Sequence, residues 1–112
     1  INFILSFLKK YDCEKDSAVL SCVKAIALWL YECNQSIINH LNLLQCIYRE
    51  RELTQEEQNV LISYKYTQTD YKILAGINIL LNNMNEYRYN LNRMDEKDLS
   101  EFKSYPIYNL AK

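Results

Sequence analysis

The single histidine, His40, and four cysteines, Cys13, Cys22, Cys33 and Cys46, are the side chains of this chain with the most chemistry to offer. A histidine acting as a general base needs an orienting partner and a substrate within hydrogen-bond reach. His40 instead lies beside the apolar positions Ile37, Leu41 and Leu44, which suits a surface or boundary histidine. The only glycine, Gly76, sits inside a helical pattern, so no glycine-rich phosphate loop exists. It reads as a point where another element packs closely. No catalytic, cofactor-binding or metal-ligating residue is assigned, no cofactor is implied, and the chain is read as not being an enzyme.

The cysteines stand 9, 11 and 13 residues apart and lack the Cys-x-x-Cys pairs of zinc sites. Cys22 and Cys33 share one face of a helix but lie about 16 Å apart along it. A disulfide needs Cα atoms within about 7 Å. Cys13 could reach Cys22 or Cys46 only if tertiary folding joins them. Reduced thiols behaving as small apolar side chains are preferred, with at least one disulfide as the alternative. Asn34-Gln35-Ser36 fits the N-glycosylation triplet, a match that arises readily by chance in an Asn-rich chain. Secretion, glycosylation and disulfides stand or fall together, and an intracellular location is favoured over a secreted one.

Ten tyrosines are the remaining signal. Tyrosine offers a large apolar body and one hydroxyl at low entropic cost, which suits contact surfaces. The candidate partner-binding surface is drawn from Tyr64, Tyr66, Tyr71, Tyr89, Tyr105 and Tyr108, with Tyr87 given to the core. Asn78, Asn82 and Asn85 read as a solvated face.

The elements that must position these residues are helices. One glycine and one proline in 112 residues, against average usage of about 7% and 5%, leave little with which to turn a strand-rich fold. Phe3, Phe7, Ile4, Leu8 and Tyr11 give a short amphipathic first helix, ended by the polar string from Asp12 to Asp16. Asp16 or Ser17 can cap the next. From Ala18 to Cys33 apolar residues occupy almost every azimuth, which predicts a central, enclosed helix around residues 17–34 with Trp29 as its largest core contribution. A break or kink is expected at Asn34-Gln35-Ser36, because an unbroken helix over 17–51 would be about 50 Å long. Ile37, Leu41, Leu44 and Tyr48 then mark a stripe. Thr54-Gln55-Glu56-Glu57 is a capping box, followed by Val60, Leu61 and Tyr64 as an apolar side. Thr67 to Asp70 bends or ends that helix. Ile73, Ile77, Leu80, Met84, Tyr87 and Leu91, spaced 4-3-4-3-4, form a seam of the kind that packs antiparallel helices. Asp95 caps a last helix holding Leu99 and Phe102; Pro106 closes regular structure, and Tyr105, Ile107, Tyr108 and Leu110 pack back. The prediction is an all-α, compact bundle of four or five helices.

A chain of this length fits one domain, residues 1–112. Its start at Ile1, without methionine or a signal-like region, points to a piece of a longer polypeptide. The most apolar window, Ala25 to Tyr31, is too short to span a bilayer, which takes about 20 residues. Formal net charge is −1, and charges interleave, as in Arg49-Glu50-Arg51-Glu52, so no basic face advertises nucleic acid. Abundant Asn and Tyr, and Lys exceeding Arg, are the composition of an AT-rich genome. The leading functional expectation is a non-catalytic helical domain for protein–protein interaction or assembly, with another protein or a second copy as partner. One alternative is an accessory domain of a nucleic-acid-associated (transcription or replication) protein, using lysines such as Lys65 and Lys72. Another is a secreted or surface helical protein of a parasite or virus.

Overall fold

A computed structural model describes residues 2–111, with side chains from residue 4 onward. Phe3, which the sequence places on the first helix's apolar side, lies outside the described side chains. The described residues form seven α-helices and a closing 3₁₀ segment, Pro106–Leu110, with no strand. The all-α prediction holds, and the helices number seven where four or five were predicted. They are α1 (Asn2–Glu14), α2 (Ser17–Cys33), α3 (Ile37–Glu50), α4 (Gln55–Lys65), α5 (Tyr71–Leu80), α6 (Met84–Arg93) and α7 (Glu96–Lys103). The chain divides into two compact units, residues 1–52 and 53–112.

Unit 1 is α1, α2 and α3. Lys15, in the left-handed region at φ 56°, stops α1, and the Asp16 carboxylate accepts from the Ala18 amide to start α2. The polar Asn34-Gln35-Ser36 breaks the chain as predicted: Asn34 closes α2 through its amide to the Leu30 carbonyl, and the Ser36 hydroxyl accepts from the Asn39 amide to open α3. Residues 17–51 are therefore two helices.

Ile4 and Leu8 of α1, Leu20, Val23 and Ala27 of α2, and Leu43 and Cys46 of α3 form the core, with Tyr11, Ile26, Leu30, Tyr31 and Ile47 packed on it. Each fully buried aliphatic side chain contributes about 1.5–3 kcal/mol. Leu41 and Leu44 of the predicted α3 stripe are buried too, so α3 buries a wider arc than the stripe.

The enclosure predicted for α2 is only partial, and Trp29 is not a core residue: 62% of its surface is exposed, as is 44% of Leu28. Within its unit α2 packs on α1 and α3. Its buried positions, Leu20, Val23 and Ala27, follow each other at helical spacing on one side. The opposite side carries apolar residues that unit 1 leaves exposed.

Arg49 ties α3 to α1. Its Nε and Nη2 donate to Oδ1 and Oδ2 of Asp12 at 2.8 and 3.0 Å, and its Nη1 donates to the Gln45 carbonyl at 3.1 Å. The Arg49 side chain is 3% exposed and that of Asp12 15%, so the pair is shielded from water.

Unit 2 begins with the predicted capping box. Thr54 Oγ1 accepts from the Glu57 amide, and the Glu57 carboxylate accepts from the Thr54 amide. Leu61 fixes α4 in the core. Asp70 caps α5 at the Lys72 amide. In α5 every residue from Ala75 to Leu80 is buried, because α4, α6, α7 and the 3₁₀ segment all pack on it. Gly76 lets the last of these come close: a Cβ there would stand 3.2 Å from Ile107 Cδ1.

The predicted seam from Ile73 to Leu91 is divided between two helices. Asn82, at φ 59°, takes the left-handed position after α5. The Asn83 amide donates to the Asn78 carbonyl and the Asn82 amide to that of Ile79, a Schellman closure with asparagine in the usual place of glycine. Asn83 then caps α6 at the Glu86 amide. α5 and α6 pack on each other across this helical hairpin. Asn78 is buried, not solvated as its row suggests, and its Nδ2 donates to Asn90 Oδ1 of α6 at 2.7 Å. Asp95 caps α7 at the Asp98 amide, Phe102 is fully buried, and Pro106 and Ile107 close the unit.

Removing one partner of a shielded ion pair strands the other charge. Asp12→Ala or Arg49→Ala is expected to cost about 3–5 kcal/mol, while the paired apolar replacement Asp12→Leu with Arg49→Met recovers most of the loss. Urea unfolding followed by helical circular dichroism of the three variants checks this.

Candidate functional site

The six tyrosines proposed as a partner-binding surface are all in unit 2 but do not form one patch. Tyr105 and Tyr108 set their rings edge-on to buried Phe102, with centroids at 6.1 and 6.0 Å, and both are half-buried. Tyr87 joins the same cluster and is buried. Tyr64 is half-buried on α4. Tyr66, which ends α4, is 83% exposed, and Tyr89 and Tyr71 are exposed as well. Tyr89 lies under the Arg93 guanidinium, 5.0 Å from ring centroid to charge.

The lysines on which a nucleic-acid reading rests are held by carboxylates. Lys65 Nζ stands 2.6 Å from Glu86 Oε2, and Lys72 Nζ stands 2.6 Å from Glu101 Oε2 and 3.4 Å from Asp98 Oδ1. The bond to Glu101 holds Lys72 in its charged form beyond the usual lysine range, and the same bond keeps the Glu101 carboxyl below its ordinary range. A phosphate at either lysine would have to displace these partners.

His40 stacks on Tyr31, centroids 4.3 Å apart, and so joins α3 to α2. Among the described residues no cluster of three or more histidine, cysteine or acidic side chains could hold a metal ion. No helix among them is long and apolar enough to cross a membrane. In the Asn34-Gln35-Ser36 triplet, Asn34 and Ser36 each terminate a helix, and the Asn34 carbonyl accepts from Asn39 Nδ2 at 2.9 Å. The four cysteines are free thiols, with Cys13, Cys22 and Cys33 exposed and Cys46 buried.

The surface missed by sequence reasoning is on α2. Its exposed positions are Ser17, Ala18, Ser21, Cys22, Ala25, Leu28, Trp29, Glu32 and Cys33, a continuous strip from Ala18 onward at 3–4 residue spacing. One charge, Glu32, interrupts it. Small residues make the N-terminal half shallow, and Leu28 and Trp29 stand up from the C-terminal half. A signal for it exists in the sequence: apolar residues all around α2 exceed what two neighbouring helices can cover. Assigning the largest of them to the core hid it.

Comparison of the chain with protein-family models, with curated proteins and with solved structures finds no match.

Burial pushes the Cys46 thiol from an ordinary 9.0 up to about 11, with nearby Arg49 partly opposing the rise. Between these values the unfolded chain has lost this proton while the folded chain keeps it, so stability falls as pH rises. The Cys46 contribution is complete below about pH 9 and is lost by about pH 11, a change on the order of 2–3 kcal/mol. Unfolding free energies of the native chain and Cys46→Ala, compared across that window, should converge in slope below pH 9 and diverge above it. Maleimide at pH 8 should label three thiols quickly and Cys46 only on unfolding.

Proposed function

We propose that this chain is a non-catalytic helical domain that works by binding another protein, and that the outer face of α2 is the surface it uses. The observation that carries this reading is the exposure of Trp29 and Leu28 side by side on a helix already anchored through its other face. A tryptophan held in water forfeits the large apolar burial it can provide, and contiguous exposed apolar residues mark interaction sites. Tryptophan is also the residue most enriched among those that dominate interface energy. α2 is pinned by the packing of Leu20, Val23 and Ala27, so its outer face is presented with little ordering left to do on binding.

The reading also draws on how the other reactive groups are employed. His40 is engaged in a stack, Cys46 lies in the core, and Lys65 and Lys72 are paired. Tyr66, Tyr71 and Tyr89 give unit 2 exposed aromatic surface of its own, which serves the same kind of function.

A photo-activatable benzophenone amino acid at position 29, in the chain expressed in its native cells, tests the proposal. Reproducible protein adducts are expected at position 29 and not at Ser100, an exposed polar position of α7. Equal labelling at both positions, or no protein adduct at 29, would refute the α2 face as a binding surface.

A further inference from the structure

We infer that the partner seated on the outer face of α2 is a second copy of the same chain, bound antiparallel as a weak two-fold dimer; this inference rests on the reading of that face as a binding surface.

The face itself carries one charge, Glu32, with the Lys24–Glu50 ion pair at its edge, so charge gives a partner little to read. Shape has to supply the selection. The strip is shallow at Ala18, Ser21, Cys22 and Ala25 and tall at Leu28 and Trp29, and a surface divided in this way is complementary to itself when turned end for end. A two-fold axis across α2 at the level of residue 27 sets Trp29 of each copy over Ala25 of the other. The same axis brings Cys22 opposite Glu32 and Cys33 of the partner. Both pairings come from one register, since the facing residue numbers sum to 54 or 55. Such an isologous contact closes on itself and leaves nothing to propagate.

Charge selects the same arrangement. Antiparallel, the two Glu32 side chains lie about 15 Å apart along the helices at 1.5 Å per residue, beyond the Debye length of about 8 Å at physiological salt. A parallel pair would set Glu32 on Glu32 and Trp29 on Trp29, with like charges and bulky rings in collision. Antiparallel helix dipoles add to the preference.

The size of the face sets the strength. Trp29 alone offers about 150 Å², and the strip as a whole on the order of 450 Å² per copy, or about 900 Å² for the pair, below the 1,200–2,000 Å² of standard stable interfaces. A reversible, concentration-dependent dimer is the corresponding expectation.

Sedimentation of the full chain under reducing conditions, from about 1 µM to about 500 µM, provides the test. Monomer is expected at the low end and dimer at the high end. Trp29→Glu should weaken association at least tenfold with an unchanged helical spectrum. Ala25→Trp, harmless on an open face, should do the same because it fills the place of the partner's Trp29. Tyr66→Ala should leave association unchanged. Brief oxidation with diamide at high concentration should join Cys22 of one copy to Cys33 of the other, each thiol losing one proton and one electron to the reagent. Monomer throughout, or a dimer indifferent to both α2 substitutions, overturns the inference. If the position-29 photo-adduct then contains a different protein, the binding face stands and the second copy falls. If there is no adduct either, both fall.

Discussion

The helix Ser17–Cys33 has apolar side chains around its whole circumference and, within its unit, two helices to pack on. With only α1 and α3 packed on it in unit 1, α2 keeps one side uncovered within that unit, where Leu28 and Trp29 are exposed. The rest of unit 1 is arranged around that imbalance. Leu20, Val23 and Ala27 take the shielded arc against Ile4, Leu8, Leu43 and Cys46, and the Arg49–Asp12 fork draws α1 and α3 together on that side. What remains outward is a firm apolar strip with Trp29 at its crest.

Unit 2 solves the same packing problem in the other way. α5 is as apolar as α2, and there α4, α6, α7 and the 3₁₀ segment supply enough surface to bury six consecutive residues. One polar pair is buried, Asn78 with Asn90 between α5 and α6, and at the surface Lys72 joins α5 to Glu101 and Asp98 of α7. A buried amide pair cannot slip along the hairpin without losing its bond, which fixes the register of α5 on α6.

Much of the fold is readable from residue types because helix ends are local chemistry. Asp16, Thr54 with Glu57, and Asp95 all cap where the sequence predicts, and Asn34-Gln35-Ser36 breaks the chain as predicted. The turn at Leu81–Asn83 is harder to see. Asparagine there performs glycine's left-handed role, and the apolar spacing continues through it at 4-3-4 as though the helix did not end. The exposed face of α2 is hidden for a different reason. Periodicity reports which residues are apolar, but how many neighbours arrive to cover them is a property of the whole fold. The tyrosines show the same limit: Tyr105 and Tyr108 are drawn onto Phe102 by a contact no local pattern encodes, while Tyr66 is left in water.

Trp29 is the chain's one tryptophan, so its fluorescence reports on the outer face of α2 alone. Iodide quenching and emission wavelength, measured on the folded protein at nanomolar concentration, address the openness of that face directly. For an open face, red-shifted emission and quenching close to that of the urea-unfolded chain are expected. Blue-shifted emission with strong protection from iodide in the dilute folded protein would contradict it, because the ring would then lie within the chain's own interior.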